Sequence, residues 1–182
     1  MKSFTYLGTV PYGQPLSADD ITELHAGRLL LLLKYCGVSK KITGLTKLAK
    51  LDFFSRYPDA FSRIADYLGH QILPAISTVE SPMVRHHYGP WDKRYYQILA
   101  FLESRELITI HKKDEAYIFE LTDTGVDVAA KLAKCPQFSM QLEQMKRVKS
   151  LLGSKSGSTI KNLIYAVFEK EVASRPLGEI IL

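Results

Sequence analysis

Five leucines in a row, Leu29 to Leu33, constrain this chain more than any other feature. At about 3.6 residues per turn, five consecutive apolar side chains cover the whole circumference of a helix, so no face is left for water. The segment is therefore expected to be a central helix packed from several sides. It is far short of the roughly 20 residues that a membrane helix needs, and Asp19, Asp20 and Glu23 precede it, which is wrong for a signal peptide. With 182 residues, 46% of them hydrophobic and 24% charged, the chain has the balance of one soluble domain that buries roughly 70% of its unfolded surface. Cys36 and Cys135 are unclustered and show no CxxC spacing, so a reducing compartment and a cytoplasmic location are expected.

The net charge of +5 invites a nucleic-acid hypothesis, but its distribution is uneven. Residues 28–63 carry 8 basic and 2 acidic groups and residues 137–182 carry 7 and 4, whereas residues 64–136 carry 8 and 10. The excess belongs to two segments.

Residues 1–18 mix aromatics with Gly and Pro and read as an extended arm, in which Phe4, Tyr6 and Tyr12 would cover the domain's own sheet edge or meet a partner. Ser17 offers an N-cap for the leucine helix, which continues to about Tyr35 and stops at Gly37. A second helix is expected over Leu45–Tyr57, with Leu45, Ala49 and Phe53 on one stripe and Lys47 and Lys50 on another face, and a third over Ala60–Leu68. Residues 69–90 hold three prolines, two glycines and little periodicity apart from one short extended piece, and read mainly as an inserted loop. Pro90 then suits the first position of a helix in which Trp91, Tyr95, Ile98 and Leu102 share a face. Leu107–His111 and Ala116–Leu121 read as strands around the tip Lys112–Glu115, with Tyr117, Phe119 and Leu121 alternating on one face. Thr122 caps a helix striped by Val126, Ala129, Ala130 and Ala133. Further helices follow, from Phe138 to Leu152 and from Ile160, separated by GSKSGS. The order predicts a mainly α (α+β) fold, a winged helix-turn-helix with a small β-hairpin wing and additional C-terminal helices. Its parts are the arm 1–18, a winged-helix domain 19–136 with an insertion at about 58–89, and a helical extension 137–182 packed on the same domain.

Catalytic chemistry lacks its parts. His86 and His87 are adjacent rather than convergent, and neither HExxH nor a zinc-type Cys/His spacing occurs. There is no GxxxxGK[ST] loop, no GxGxxG after a strand and no GxSxG elbow, so no metal, cofactor or enzymatic role is expected. GSKSGST reads as a helix connection, although its amides and Lys155 would suit an anion. A nuclease or toxin using His86 or His87 is the weakest of the readings kept.

Candidate DNA contacts are Lys40, Lys41, Lys47 and Lys50 around the second helix, Arg85 and Lys93 near the recognition-position helix, and Lys112 and Lys113 at the wing tip. Glu103 and Glu106 on that helix and Asp114 and Glu115 at the tip oppose such contact. Candidate partner contacts are the tyrosine-rich HHYGPWDKRYY and the apolar tail. Within them Trp91 and Tyr95 are expected in the core, Tyr88 and Tyr96 are freer, and Ile180, Ile181 and Leu182 would dock on their own domain or on a partner.

Three stretches carry a resemblance: LTKLAKLDFFSRYP (45–58), HYGPWDKRYYQILAFLESRELI (87–108) and KSGSTIKNLIYAVFEKEVASRPLGEII (155–181). The chain resembles the middle component of ABC-three-component systems, the group that includes Lamassu-type bacterial defence against phages and plasmids. The resemblance implies a non-catalytic winged-helix subunit between an effector, often a nuclease, and an SMC-like coiled-coil ATPase; beside it, the basic segments keep non-specific DNA contact open, and the short apolar run implies no membrane. The matching motif positions are Gly89, Pro90, Trp91, Asp92, Arg94, Tyr95, Lys155, Ser156, Gly157, Lys161, Tyr165, Pro176, Gly178 and Glu179. Of these, Gly89, Arg94, Lys155 and Lys161 are counted with Tyr88, Tyr96 and the tail as partner-binding candidates. The sequence departs from the family at Glu169, where proline is often found. The alternative is a stand-alone winged-helix DNA-binding transcriptional regulator.

Overall fold

The computed structural model describes residues 18–71, 83–87, 89–169 and 176–180. The arm, apart from Ala18, lies outside the described residues, as do Tyr88, Ile181 and Leu182.

A 3₁₀ turn, Ala18–Asp20, leads into helix α1, Thr22–Cys36. Every residue from His25 to Leu33 is buried, and Leu29 to Leu33 are at most 2% exposed. The leucines are encased as their continuous run requires, because the chain brings several layers around α1. Strand β1 (Lys41–Thr43), helix α2 (Leu45–Arg56) and helix α3 (Pro58–Tyr67) follow. Strands β2 (Val84–His86) and β3 (Gly89–Trp91) precede helix α4, Tyr95–Ser104. Strands β4 (Ile108–Lys113) and β5 (Ala116–Leu121), helix α5 (Asp123–Leu132), helix α6 (Ser139–Leu152) and helix α7 (Gly157–Val167) complete the α+β fold. Helices α2, α4, α5 and α6 all pack on α1, while α7 packs on α2 and α3.

The larger sheet is antiparallel with strand order β1–β5–β4, pairing Ile42 with Phe119 and Ile108 with Leu121. Phe119 and Leu121 enter the core, whereas Tyr117, on the same face nearer the tip, is 53% exposed. Thr122 caps α5 as expected: its Oγ1 accepts from Gly125 N at 2.9 Å and donates to Glu106 O at 2.7 Å. Gly125 permits this close corner, since a Cβ there would lie 1.9 Å from Leu107 O.

One expectation needs correction. Pro90 and Trp91 do not begin α4; they belong to β3, which pairs Val84 with Trp91 and His86 with Gly89. The helical spacing of Trp91 and Tyr95 survives as a ring contact, 5.1 Å between centroids at 83°, while Asp92 turns the chain by accepting Arg94 N at 3.0 Å. The short extended piece expected within residues 69–90 is matched by β2 and the start of β3. Residues 176–180 extend this second sheet, with Arg85 N donating to Glu179 O (2.7 Å), Gly178 N donating to Arg85 O (2.8 Å) and Val84 bridged to Ile180. Helix α7 ends at Val167 without a proline. The buried Phe168 ring lies under the Arg63 guanidinium at 4.2 Å, and Arg63 Nη2 donates to Val167 O.

Candidate functional site

Helix α2 carries Asp52 and Arg56 one turn apart, and both side chains are fully buried. Arg28 from α1 reaches the same point: its Nε donates to Asp52 Oδ1 at 2.9 Å, and its Nη2 lies 3.6 Å from Asp92 Oδ2. The turn before α4 supplies Asp92, which accepts Arg56 Nη1 at 2.9 Å and a two-pronged contact from Arg94, Nε at 2.9 Å and Nη2 at 2.8 Å. Tyr95, also fully buried, donates its hydroxyl to Asp52 Oδ2 at 2.8 Å. At the rim, the His25 ring lies between two guanidiniums, with Nδ1 2.8 Å from Arg28 Nη1 and Nε2 2.7 Å from Arg94 Nη1 and 3.2 Å from Asp19 O. Three guanidiniums and two buried carboxylates thus tie α1, α2 and α4 together.

The electrostatics of this network favour holding over proton transfer. Burial opposes ionisation of Asp92, but hydrogen bonds and charge from Arg94, with Arg56 behind it, hold its carboxyl well below the usual range. Burial and the neighbouring Asp52 push the Tyr95 hydroxyl well up. Burial, reinforced by Arg28 and Arg94, lowers the His25 imidazole and so favours its neutral form between the two guanidiniums. These are groups in settled protonation states near neutrality, unlike a poised acid and base.

Two of the eight DNA-binding candidates are withdrawn by their surroundings. Lys50 is 1% exposed and donates to Pro90 O at 2.8 Å; burial pushes its ammonium down to about 7. Lys47 donates to Gly153 O at 2.8 Å and is half-buried, with burial again lowering its pKa. A helix face that looked basic is covered by β3 and by the α6–α7 corner, so neither lysine offers its charge to a phosphate. Lys40, Lys41, Lys93, Lys112 and Lys113 are exposed, and Arg85 is half-buried with its Nε unpaired. They do not form one patch. Lys41 pairs with Glu120 and Lys113 with Ala116, about 13 Å apart along β5 at roughly 3.3 Å per residue, and Lys112 Nζ lies 3.6 Å from Glu115.

The residues that carry the family resemblance fall mostly at joints. Gly89 (φ +96°) sits beside Lys50 and Ile164, where an added Cβ would lie 3.5 Å from Lys50 Nζ. Asp92, Arg94 and Tyr95 are in the ion network. Ser156 caps α7 by accepting Thr159 N at 3.1 Å, Gly157 abuts the Lys47 backbone, and Tyr165 donates to His87 O at 3.1 Å. Gly178 and Glu179 supply the pairing with Arg85, and Lys155 and Lys161 are half-buried. The stretches 87–108 and 155–181 therefore meet around one small hairpin.

Around that hairpin the surface is aromatic. His86 stacks on Trp91 at 5.0 Å and 25°, and Tyr96, 68% exposed, lies 6.0 Å from the Trp91 ring. A cleft of about 420 Å³ opens here, bounded by His86, His87, Trp91, Lys93, Tyr96 and Leu177 among others. On the other side of Tyr96, a second groove of about 420 Å³ is lined by Leu99, Ala100, Glu103, Ile110, Tyr117 and Phe119, with Leu45 at its edge. Tyr96 is common to both. Among the described residues no group of three or more His, Cys, Asp or Glu side chains could hold a metal, and no helix is long and apolar enough to cross a membrane.

The sequence reading missed the buried network. Its available signal was Asp52 and Arg56, charges placed four residues apart inside a helix otherwise rich in leucine and phenylalanine. No family model, curated protein or solved structure matches the chain.

Proposed function

We propose that this chain is a non-catalytic bridging subunit of an SMC-like anti-phage or anti-plasmid complex, acting in the cytoplasm to join coiled-coil ATPase heads to an effector such as a nuclease. The observation that carries this reading is the meeting of stretches 87–108 and 155–181 at the β2–β3 hairpin, beside two grooves that share an exposed tyrosine. Aromatic, concave surface of this kind suits a protein interface, because a tyrosine combines rigid apolar area with a polar tip. With α3, β2 and β3 taken as an insertion between α2 and α4, the order α1–β1–α2–α4–β4–β5, with β5 between β1 and β4, favours the winged-helix reading of the domain. In that reading α4 takes the recognition position, but its exposed side includes Tyr96, Gln97, Ala100 and Glu103, which gives duplex phosphates little to hold. The regulator reading is accordingly the second choice.

Co-purification from cells expressing the chain together with the genes that adjoin its own is the test. Recovery of a coiled-coil ATPase, weakened by Tyr96→Ala, is expected; isolation of the chain alone would overturn the bridging role. A regulator would instead bind one duplex sequence in isolation, with affinity falling steeply as salt rises.

A further inference from the structure

The cleft at the β2–β3 hairpin has a chemistry that protein bridging does not require. Its wall presents three ring systems, His86, Trp91 and Tyr96, with centroid separations of 5.0 Å and 6.0 Å across Trp91. Among the described residues that line it, every titratable side chain is a base, a histidine or Tyr96, and none is a carboxylate. Alternation along β2 sends the Arg85 side chain to the face opposite His86, so exposed Lys93 carries the positive charge here. Burial, with His87 and the buried Lys50 behind it, lowers His86, which favours a neutral ring free to stack. A volume of about 420 Å³ accommodates one planar heterocycle with its sugar and phosphate, at the small end of ligand sites.

We propose that this cleft binds one nucleotide unit of single-stranded nucleic acid, with the base stacked on the His86–Trp91–Tyr96 wall and the phosphate held by Lys93. Aromatic faces beside a cation are the arrangement by which unpaired bases are held without regard to sequence. A base inside a duplex cannot enter, because its faces are already stacked on its neighbours. The site goes beyond the bridging function and does not depend on it, since the isolated full chain suffices for the experiment.

Trp91 is the sole tryptophan, so its fluorescence reports on this cleft alone. Titration of the full chain with a short oligo(dT) at low salt is expected to quench it saturably. Tyr96→Ala should weaken binding about tenfold, as loss of one stacking surface does. Lys93→Gln should flatten the slope of log affinity against log salt by about 0.7, the loss of one phosphate contact to a single strand. Both side chains are exposed, so the variants should keep the far-UV circular dichroism of the parent, and a duplex of equal length should quench far less. The proposal is overturned by absence of quenching at millimolar oligo(dT), by affinity unchanged in both variants, or by duplex binding equal to that of the single strand. A short oligoglutamate peptide that binds as tightly as oligo(dT) would likewise overturn it and assign the cleft to an acidic protein segment.

Discussion

Lys50→Met is the most discriminating perturbation of the fold. In the folded chain the Lys50 ammonium is cut off from water and pushed from its ordinary 10.5 down to about 7, whereas in the unfolded chain it titrates normally. Between those two values the unfolded state binds more protons than the folded one, so stability must rise with pH. Integrating the two titrations from pH 7 to pH 8.5 gives a gain of roughly 1.5 kcal/mol. Of the other shifted groups, His25 and His86 are lowered beneath the window and Tyr95 loses its proton above it, while the unfolded Cys36 thiol, ordinarily at 9.0, begins to titrate at its upper edge alike in parent and variant. Lys47, also lowered by burial, contributes alike to parent and variant and cancels in their difference. Urea unfolding at the two pH values should therefore show the parent gaining stability relative to Lys50→Met. With a slope of about 2 kcal/mol per molar urea, the differential midpoint shift is about 0.8 M. The variant also loses the donor to Pro90 O, an offset of about 1 kcal/mol that does not vary with pH and so cannot imitate the effect. Parallel pH profiles for the two proteins would refute the argument and place Lys50 in water.

Asp92→Asn should cost about 3–5 kcal/mol at neutral pH, because it strips the counter-charge from Arg56 and Arg94 while leaving the guanidiniums in place. Urea melts would reveal it, and a loss below 1 kcal/mol would contradict the geometry. The same carboxyl is depressed in the fold, so its contribution is complete above the ordinary carboxylate range and fades as pH falls below about 4, which acid titration of the parent should show. Burial pushes the Cys36 thiol up to about 12, and its Sγ donates to Met145 O, whereas Cys135 is partly exposed. A thiol reagent at pH 8 should thus modify one cysteine in the native protein and both in urea; rapid reaction of two native thiols would contradict the burial of Cys36.

Much of the scaffold was legible because its signals are local. Gly37 follows the end of the leucine helix, Thr122 caps α5, and the expected tip falls at Asp114 and Glu115, between two strands of alternating residues. The β2–β3 hairpin was not legible, since three-residue strands containing Gly89 and Pro90 have neither length nor alternation to announce them, and their pairing is completed by residues 178–180, about ninety positions away. Lys47 and Lys50 misled for the same reason. Their spacing correctly placed them off the main apolar stripe of α2, but which distant segments cover that second face is a tertiary fact. The ion network is likewise assembled from positions 28, 52, 56, 92 and 94, and no sequence window contains them together.

A helix that is leucine all round has a hidden weakness, because turning it by one residue about its own axis exchanges one leucine for another at nearly equal cost in buried area. The contacts of Arg28 with Asp52 and Asp92 remove that freedom. A turn of about 100° would carry the guanidinium into hydrocarbon and leave two carboxylates short of a partner. The buried charges thus act as the key that gives an otherwise featureless cylinder a single angular setting, and every layer built on α1 inherits its orientation from that one contact.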